Sequence, residues 1–150
     1  MSTSSPASAV PASPVALAPG DTMPESTFGP VTRTDIVRYA GAGGDLNPIH
    51  HDETFARAAG LPGVFGMGML HAGILGNRLA RWVGPESIRS FAVRFTGQVW
   101  PEDLLTFSGR VTDAQDGVAA IELLVTRNGD EPVLKATATA QTASTSGAAG

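Results

Sequence analysis

The sequence has no cysteine, which removes disulfides, thiolate nucleophiles and cysteine-bound zinc. It has little charge, 16% Asp, Glu, Lys and Arg with a net of −4, and no basic stripe to neutralise the phosphates of a nucleic acid. No apolar run approaches the length needed to span a bilayer. The first basic residue is Arg33, so the chain starts without the basic, continuously apolar opening of a secretory signal or the arginines of a transit peptide. A cytoplasmic location follows by default. Bases that work near neutral pH are scarce too: the histidines are His50, His51 and His71.

What is present is enough for one globular domain: 150 residues, 42% of them apolar. Residues 1–19 are built from Ser, Ala, Pro, Thr and Val and read as a disordered tail. Residues 142–150 are similarly small and polar and read as a flexible end, leaving 20–141 as the folded domain.

Residues 24–30 have the mixed pattern of a short edge strand. Thr32-Arg33-Thr34-Asp35 resembles a capping box with an acid at the third helical position, and the helix it opens stops at Gly41-Ala42-Gly43-Gly44. Asp52 is a good N-cap for a short helix over residues 53–59, closed by Gly60 and Pro62. From Met67 to Val83 apolar residues recur at spacings of three and four, which predicts a helix buried around most of its circumference and ended by Gly84-Pro85. Gly68, Ala72, Gly73 and Gly76 would let that helix lie close to a sheet. The second half alternates, with Phe91, Val93 and Phe95 on one face. Turn signals at Gln115-Asp116-Gly117 and Asn128-Gly129-Asp130 predict an antiparallel meander, giving an α+β sheet wrapped around one helix.

Chemistry concentrates in Gly44-Asp45-Leu46-Asn47-Pro48-Ile49-His50. A carboxylate and an imidazole flank an Asn-Pro turn, a spacing that can bring an acid and a base to one small volume, as adding or removing water requires. Asp45 and Asn47 are also residues that cap turns routinely. His51 reads as exposed or as support for its neighbour. A metal site is not expected, because adjacent histidines rarely face one ion and no further spaced ligand follows.

Tyr39-Ala40, Asp45-Leu46-Asn47-Pro48-Ile49-His50, Asp52, and Gly68-Met69-Leu70 opening a helix together resemble the MaoC-like dehydratases, which include (R)-specific enoyl-CoA hydratases and mycobacterial (3R)-hydroxyacyl-ACP dehydratase subunits. The resemblance runs from about residue 24 through the last strand. It implies a hot-dog fold, an antiparallel sheet curled around a long helix, that dimerises by joining sheets. It further implies a trans-2-enoyl thioester of CoA or an acyl-carrier protein as substrate, bound in a tunnel near the dimer interface, with no cofactor. Asp45 and His50 would then hold and activate water, Asn47 would orient the loop, Gly68 would give its backbone N–H to the thioester carbonyl, and Met69 would line the tunnel. The partner chain would be a second copy or another hot-dog chain, with this chain the catalytic subunit in the latter case.

Two departures from the family pattern stand out. Met67 occupies the place of a common His in His-Gly-Met, and Gly73 that of a common polar residue. Arg94 and Arg110 are candidates for a CoA phosphate, although strand arginines are more often solvated. Thioester hydrolysis is the rival chemistry on the same fold.

Overall fold

The computed structural model describes residues 9–144. In chain order the elements are β1 (Thr22–Phe28), α1 (Arg33–Gly43), a 3₁₀ turn (Pro48–His50), α2 (Glu53–Ala58), α3 (Gly68–Val83), a second 3₁₀ turn (Pro85–Ser87), β2 (Ile88–Phe95), β3 (Leu105–Gln115), β4 (Val118–Arg127) and β5 (Glu131–Gln141). The strands make one five-stranded antiparallel sheet in the order β1-β3-β4-β5-β2. This is the expected hot-dog arrangement, with β1 and β2 as its edges.

Local chemistry accounts for the boundaries. Thr32 caps α1 by accepting from the Asp35 amide at 3.1 Å, and the Asp35 carboxylate accepts from the Thr32 amide at 2.8 Å. The Thr32 hydroxyl also donates to the Asp35 carboxylate at 2.7 Å, and this bond first, then the one from the Thr32 amide, holds the Asp35 carboxyl below its ordinary pKa. Gly44 ends the helix at φ 71°, the left-handed region. The β3–β4 hairpin turns on two residues, Asp116 at φ 53° and Gly117 at φ 76°, a conformation that suits the right-handed twist of the strands.

Alternate residues of β3, β4 and β5 point inward, among them Leu105, Phe107, Ile121, Val125, Leu134 and Ala138, and meet Leu75 and Leu79 of α3 in one core. The helix is less enclosed than its pattern predicts. Its buried positions are His71, Ala72, Leu75, Leu79 and Val83, a single stripe, while Met69 is 54% exposed and Gly73 has open space beside it. Ile74 and Trp82 pack partly against the core, whereas Met69 lies on a surface this chain does not cover by itself.

The packed chain also extends beyond residues 20–141. Leu17 is buried in the core; its amide donates to Thr142 Oγ1 at 2.8 Å, and the Ala143 amide donates to the Val15 carbonyl at 3.0 Å. Val15 and Leu17 alternate with small residues, so both can face the core while the backbone pairs with the chain after β5. The remainder of the predicted tail, residues 1–8, and residues 145–150 lie outside the described residues.

The loop before β3 is held by one buried acid. Asp103 accepts from the Trp100 amide at 2.8 Å, from Asn128 Nδ2 at 2.7 Å and from Arg127 Nη1 at 3.3 Å. Asp103→Ala leaves a guanidinium and two N–H donors without their acceptor, and a loss of about 3 kcal/mol in stability is expected. Urea denaturation at neutral pH measures it; a loss under about 1 kcal/mol would show that the loop is held by other contacts.

Candidate active site

The Asp45–His50 segment folds back on itself through its own side chains. Asp45 Oδ1 accepts from the Asn47 amide at 3.3 Å, and Asn47 Oδ1 accepts from the Ile49 amide at 3.2 Å, capping the 3₁₀ turn. Pro48 starts that turn with its φ already set. The turn brings His50 inward. Asp52 then caps α2 by accepting from the Phe55 amide at 3.0 Å.

His50 is 7% exposed. Its Nδ1–H donates to the Phe65 carbonyl at 2.6 Å, and the Phe65 ring packs on it edge-on at 4.8 Å between centroids. A carbonyl oxygen only accepts, so this bond assigns the proton to Nδ1 and leaves Nε2 of the neutral ring with a free lone pair. That nitrogen faces Asp45 Oδ2 at 3.6 Å, beyond direct hydrogen bonding. The Asp45 side chain is 45% exposed, so the pair spans the boundary between the cleft wall and solvent.

A cleft of about 330 Å³ joins this pair to the amino end of α3. It is lined by Asp45, His50, Gly68, Met69, His71 and Phe95, with Ile49, Phe65, Met67 and Gln98 around them. The first amides of α3 lack intrahelical acceptors and carry the positive end of the helix dipole. Met67, the residue before the helix, supplies no side-chain cap. Phe95 packs closely on Gly68: a Cβ there would lie 2.6 Å from Cε1 of its ring, so any side chain needs that ring to move.

The residues singled out in the sequence separate into groups. Asp45, His50, Gly68 and Met69 come together at the cleft. Asn47 braces the turn behind them and does not line it. His51 is exposed, with Nε2 3.3 Å from the Leu46 carbonyl. Arg94 and Arg110 line a different concavity of about 770 Å³ on the outer face of the sheet, and Arg110 is already paired with Glu122 at 3.3 Å. Among the described residues no cluster of His, Cys, Asp and Glu is suited to a metal ion, and no helix is long and apolar enough to cross a membrane.

Sequence reasoning missed Phe65 and Phe95 as site residues. Both are ordinary apolar residues, one in a loop and one in an edge strand, and only the fold puts a carbonyl beneath His50 and a ring against Gly68. His71, additional to the family pattern and read from the sequence as either near the pocket or facing out, lines the cleft: it falls three residues after Gly68, hence on the same helical face.

A curled antiparallel sheet around one helix, with an acid–imidazole pair at the amino end of that helix, defines a hot-dog domain of the hydratase and dehydratase type. The chain belongs to the MaoC-like family, whose model, described as MaoC like domain, matches residues 15–131. It is 32% identical over 92 residues to the 3-oxo-4,17-pregnadiene-20-carboxyl-CoA hydratase beta subunit of Mycobacterium tuberculosis, covering 61% of this chain and 71% of that one. It is 41% identical over 70 residues to the fatty acid synthase beta subunit TOXC of Cochliobolus carbonum, spanning 45% of this chain but 3% of that much longer protein. Among solved structures, a chain of the ChsH1-ChsH2 complex from Mycobacterium tuberculosis superposes with a TM-score of 0.75 at 27% identity, over 84% of this chain and 98% of that one.

Proposed function

We propose that this domain interconverts trans-2-enoyl thioesters and (R)-3-hydroxyacyl thioesters, with Asp45 and His50 activating the water. The observation that carries the reading is the 3.6 Å separation of His50 Nε2 from Asp45 Oδ2, in a cleft that also holds the free amides of α3. In the hydration direction the two side chains hold one water. Its oxygen attacks C3 as Nε2 takes its proton. The π electrons move through C2 to the thioester oxygen, which the Gly68 N–H stabilises, and C2 then collects a proton from the pair to close the cycle. The (R) configuration and the thioester are what the family resemblance implies.

The test is crotonyl-CoA absorbance. It falls with the parent protein and stays flat with Asp45→Ala or His50→Ala; equal rates in parent and double variant would remove the pair from the mechanism. Thiol release with the enoyl chromophore intact would point instead to thioester hydrolysis. Gly68→Ala bears on the oxyanion contact. Phe95 is 47% exposed and can turn outward to admit the new methyl group, so the fold is retained. A fall in kcat/KM of about 10²-fold is expected, because the helix end and its wall are displaced from the reacting oxygen. Alanine keeps the backbone N–H, so undiminished kcat/KM in that variant would show that the close packing of Phe95 on Gly68 is not needed to place the thioester oxygen.

A second reading concerns partners. The β2 edge has unpaired backbone groups and exposes Phe91 and Phe95, with Met69 of α3 also exposed, and open edges of this kind are usually covered. The proposed cover is a second hot-dog chain seated on β2, either another copy or a distinct subunit; the similar mycobacterial chain was itself solved as part of a ChsH1-ChsH2 complex. Native mass determination gives the oligomer. Inactivity of the pure protein, relieved by adding a second hot-dog chain, would make this chain the catalytic half of a heterodimer.

A further inference from the structure

His71 lines the cleft but has no task in the proposed hydration. It is 2% exposed, and its Nε2 has no hydrogen-bonding partner among the described residues. Residues three apart share a helical face and their side chains lean toward the amino end, so the imidazole sits on the Gly68 side of α3, beneath the free amides. Phe95 stands edge-on to it, 6.0 Å between centroids at 88°, and the same phenyl ring presses on Gly68. Burial lowers the His71 pKa to about 4, so at neutral pH the ring is uncharged and offers one N–H donor and one acceptor.

The walls beside it are Ile49, Phe65, Met67, Met69 and Phe95. A channel for plain hydrocarbon would be better completed by leucine or phenylalanine, because a buried ring nitrogen without a partner is costly. Nε2 is closed to solvent as the structure stands, so the cost is relieved when the cleft wall gives way to a bound molecule that presents a hydrogen-bonding group there. A site with such an unpaired group discriminates strongly against ligands that cannot satisfy it.

We propose that His71 is a specificity-determining residue, and that the preferred acyl group carries a hydrogen-bonding oxygen, a hydroxyl or ketone, seated against its imidazole. The proposal rests on the hydration reading only for where the thioester lies. Two measurements on the full chain test it. In the first, kcat/KM is compared for two enoyl-CoA substrates of equal length, one plain and one with a hydroxyl or keto oxygen in the chain away from the double bond. The parent favours the oxygenated substrate by about tenfold or more. His71→Phe loses that preference and His71→Gln keeps part of it, so the glutamine variant carries the comparison if the phenylalanine one does not fold. In the second, the ring nitrogens of His71 are followed by nitrogen-15 NMR during titration with the matching saturated acyl-CoA pair, which cannot react. The oxygenated ligand shifts these signals and the plain one does not. Equal preference in the parent and in His71→Phe would overturn the proposal, as would ring signals unmoved by the oxygenated ligand. Absence of hydration with every enoyl-CoA, alongside a selective shift of the His71 signals, would sink the hydration reading and leave this one standing.

Discussion

Asp45→Asn and His50→Gln are each expected to lower kcat for crotonyl-CoA hydration by about 10²–10⁴-fold, the range for loss of a positioned acid or base. The asparagine variant is the cleaner of the two. Half of the Asp45 side chain is in solvent and its Oδ1 contact with the Asn47 amide can be kept by the amide oxygen, so the fold has little to lose. His50 is buried and tied to the Phe65 carbonyl, so its substitution combines a catalytic and a structural effect. A melting temperature measured beside kcat separates them. If Asp45→Asn melts like the parent and still hydrates at the parental rate, the carboxylate has no part in the chemistry. If only KM rises, the pair binds the thioester and does not move its protons.

The second large effect is a loss of stability in mild acid caused by His71. In the unfolded chain its imidazole titrates at about 6.5, whereas burial holds the folded pKa at about 4. Above pH 6.5 neither state binds the proton and stability is unaffected. Below it, the unfolded chain takes up a proton that the folded protein refuses, so stability falls until the pH reaches the folded value. The loss due to this one group is about 3 kcal/mol at pH 4. Asp45 and His50 face the same cleft and other groups titrate in this interval, so the informative quantity is the difference between parent and His71→Gln. Urea denaturation at pH 7.5 and pH 4 should show the variant gaining on the parent by that amount as the pH falls. A difference independent of pH would mean that His71 is protonated in the folded protein.

Much of the fold was legible because its signals are local. The Thr32–Asp35 capping box, the Asp52 cap, the Asp116-Gly117 hairpin and the alternation of β3 to β5 depend on neighbours within a few residues, and each appears where the pattern put it. Two expectations failed for a common reason. Composition reads as a tail through residue 19, a run built from Ser, Ala, Pro, Thr and Val, yet Val15 and Leu17 find the chain after β5 more than a hundred residues away. The apolar composition of helix α3 predicts enclosure around most of its circumference, but this chain fully buries only one stripe of it and leaves Met69 exposed. Composition states how much surface needs covering, not which chain covers it.

The site divides the same way. By itself the sequence determined which groups exist: one Asp-x-Asn-Pro-x-His turn, no thiol, three histidines, and a glycine opening the main helix. Turn chemistry between nearest neighbours was enough to place Asp45 and His50 near one another. Only the tertiary structure decided that the Phe65 carbonyl takes the His50 Nδ1–H, that the Phe95 ring closes on Gly68, and that His71 is buried in the same cleft with its Nε2 unpartnered among the described residues. Those facts depend on loops and strands distant in sequence closing on the amino end of α3, and on burial, which turns an ordinary imidazole into a neutral hydrogen-bonding group.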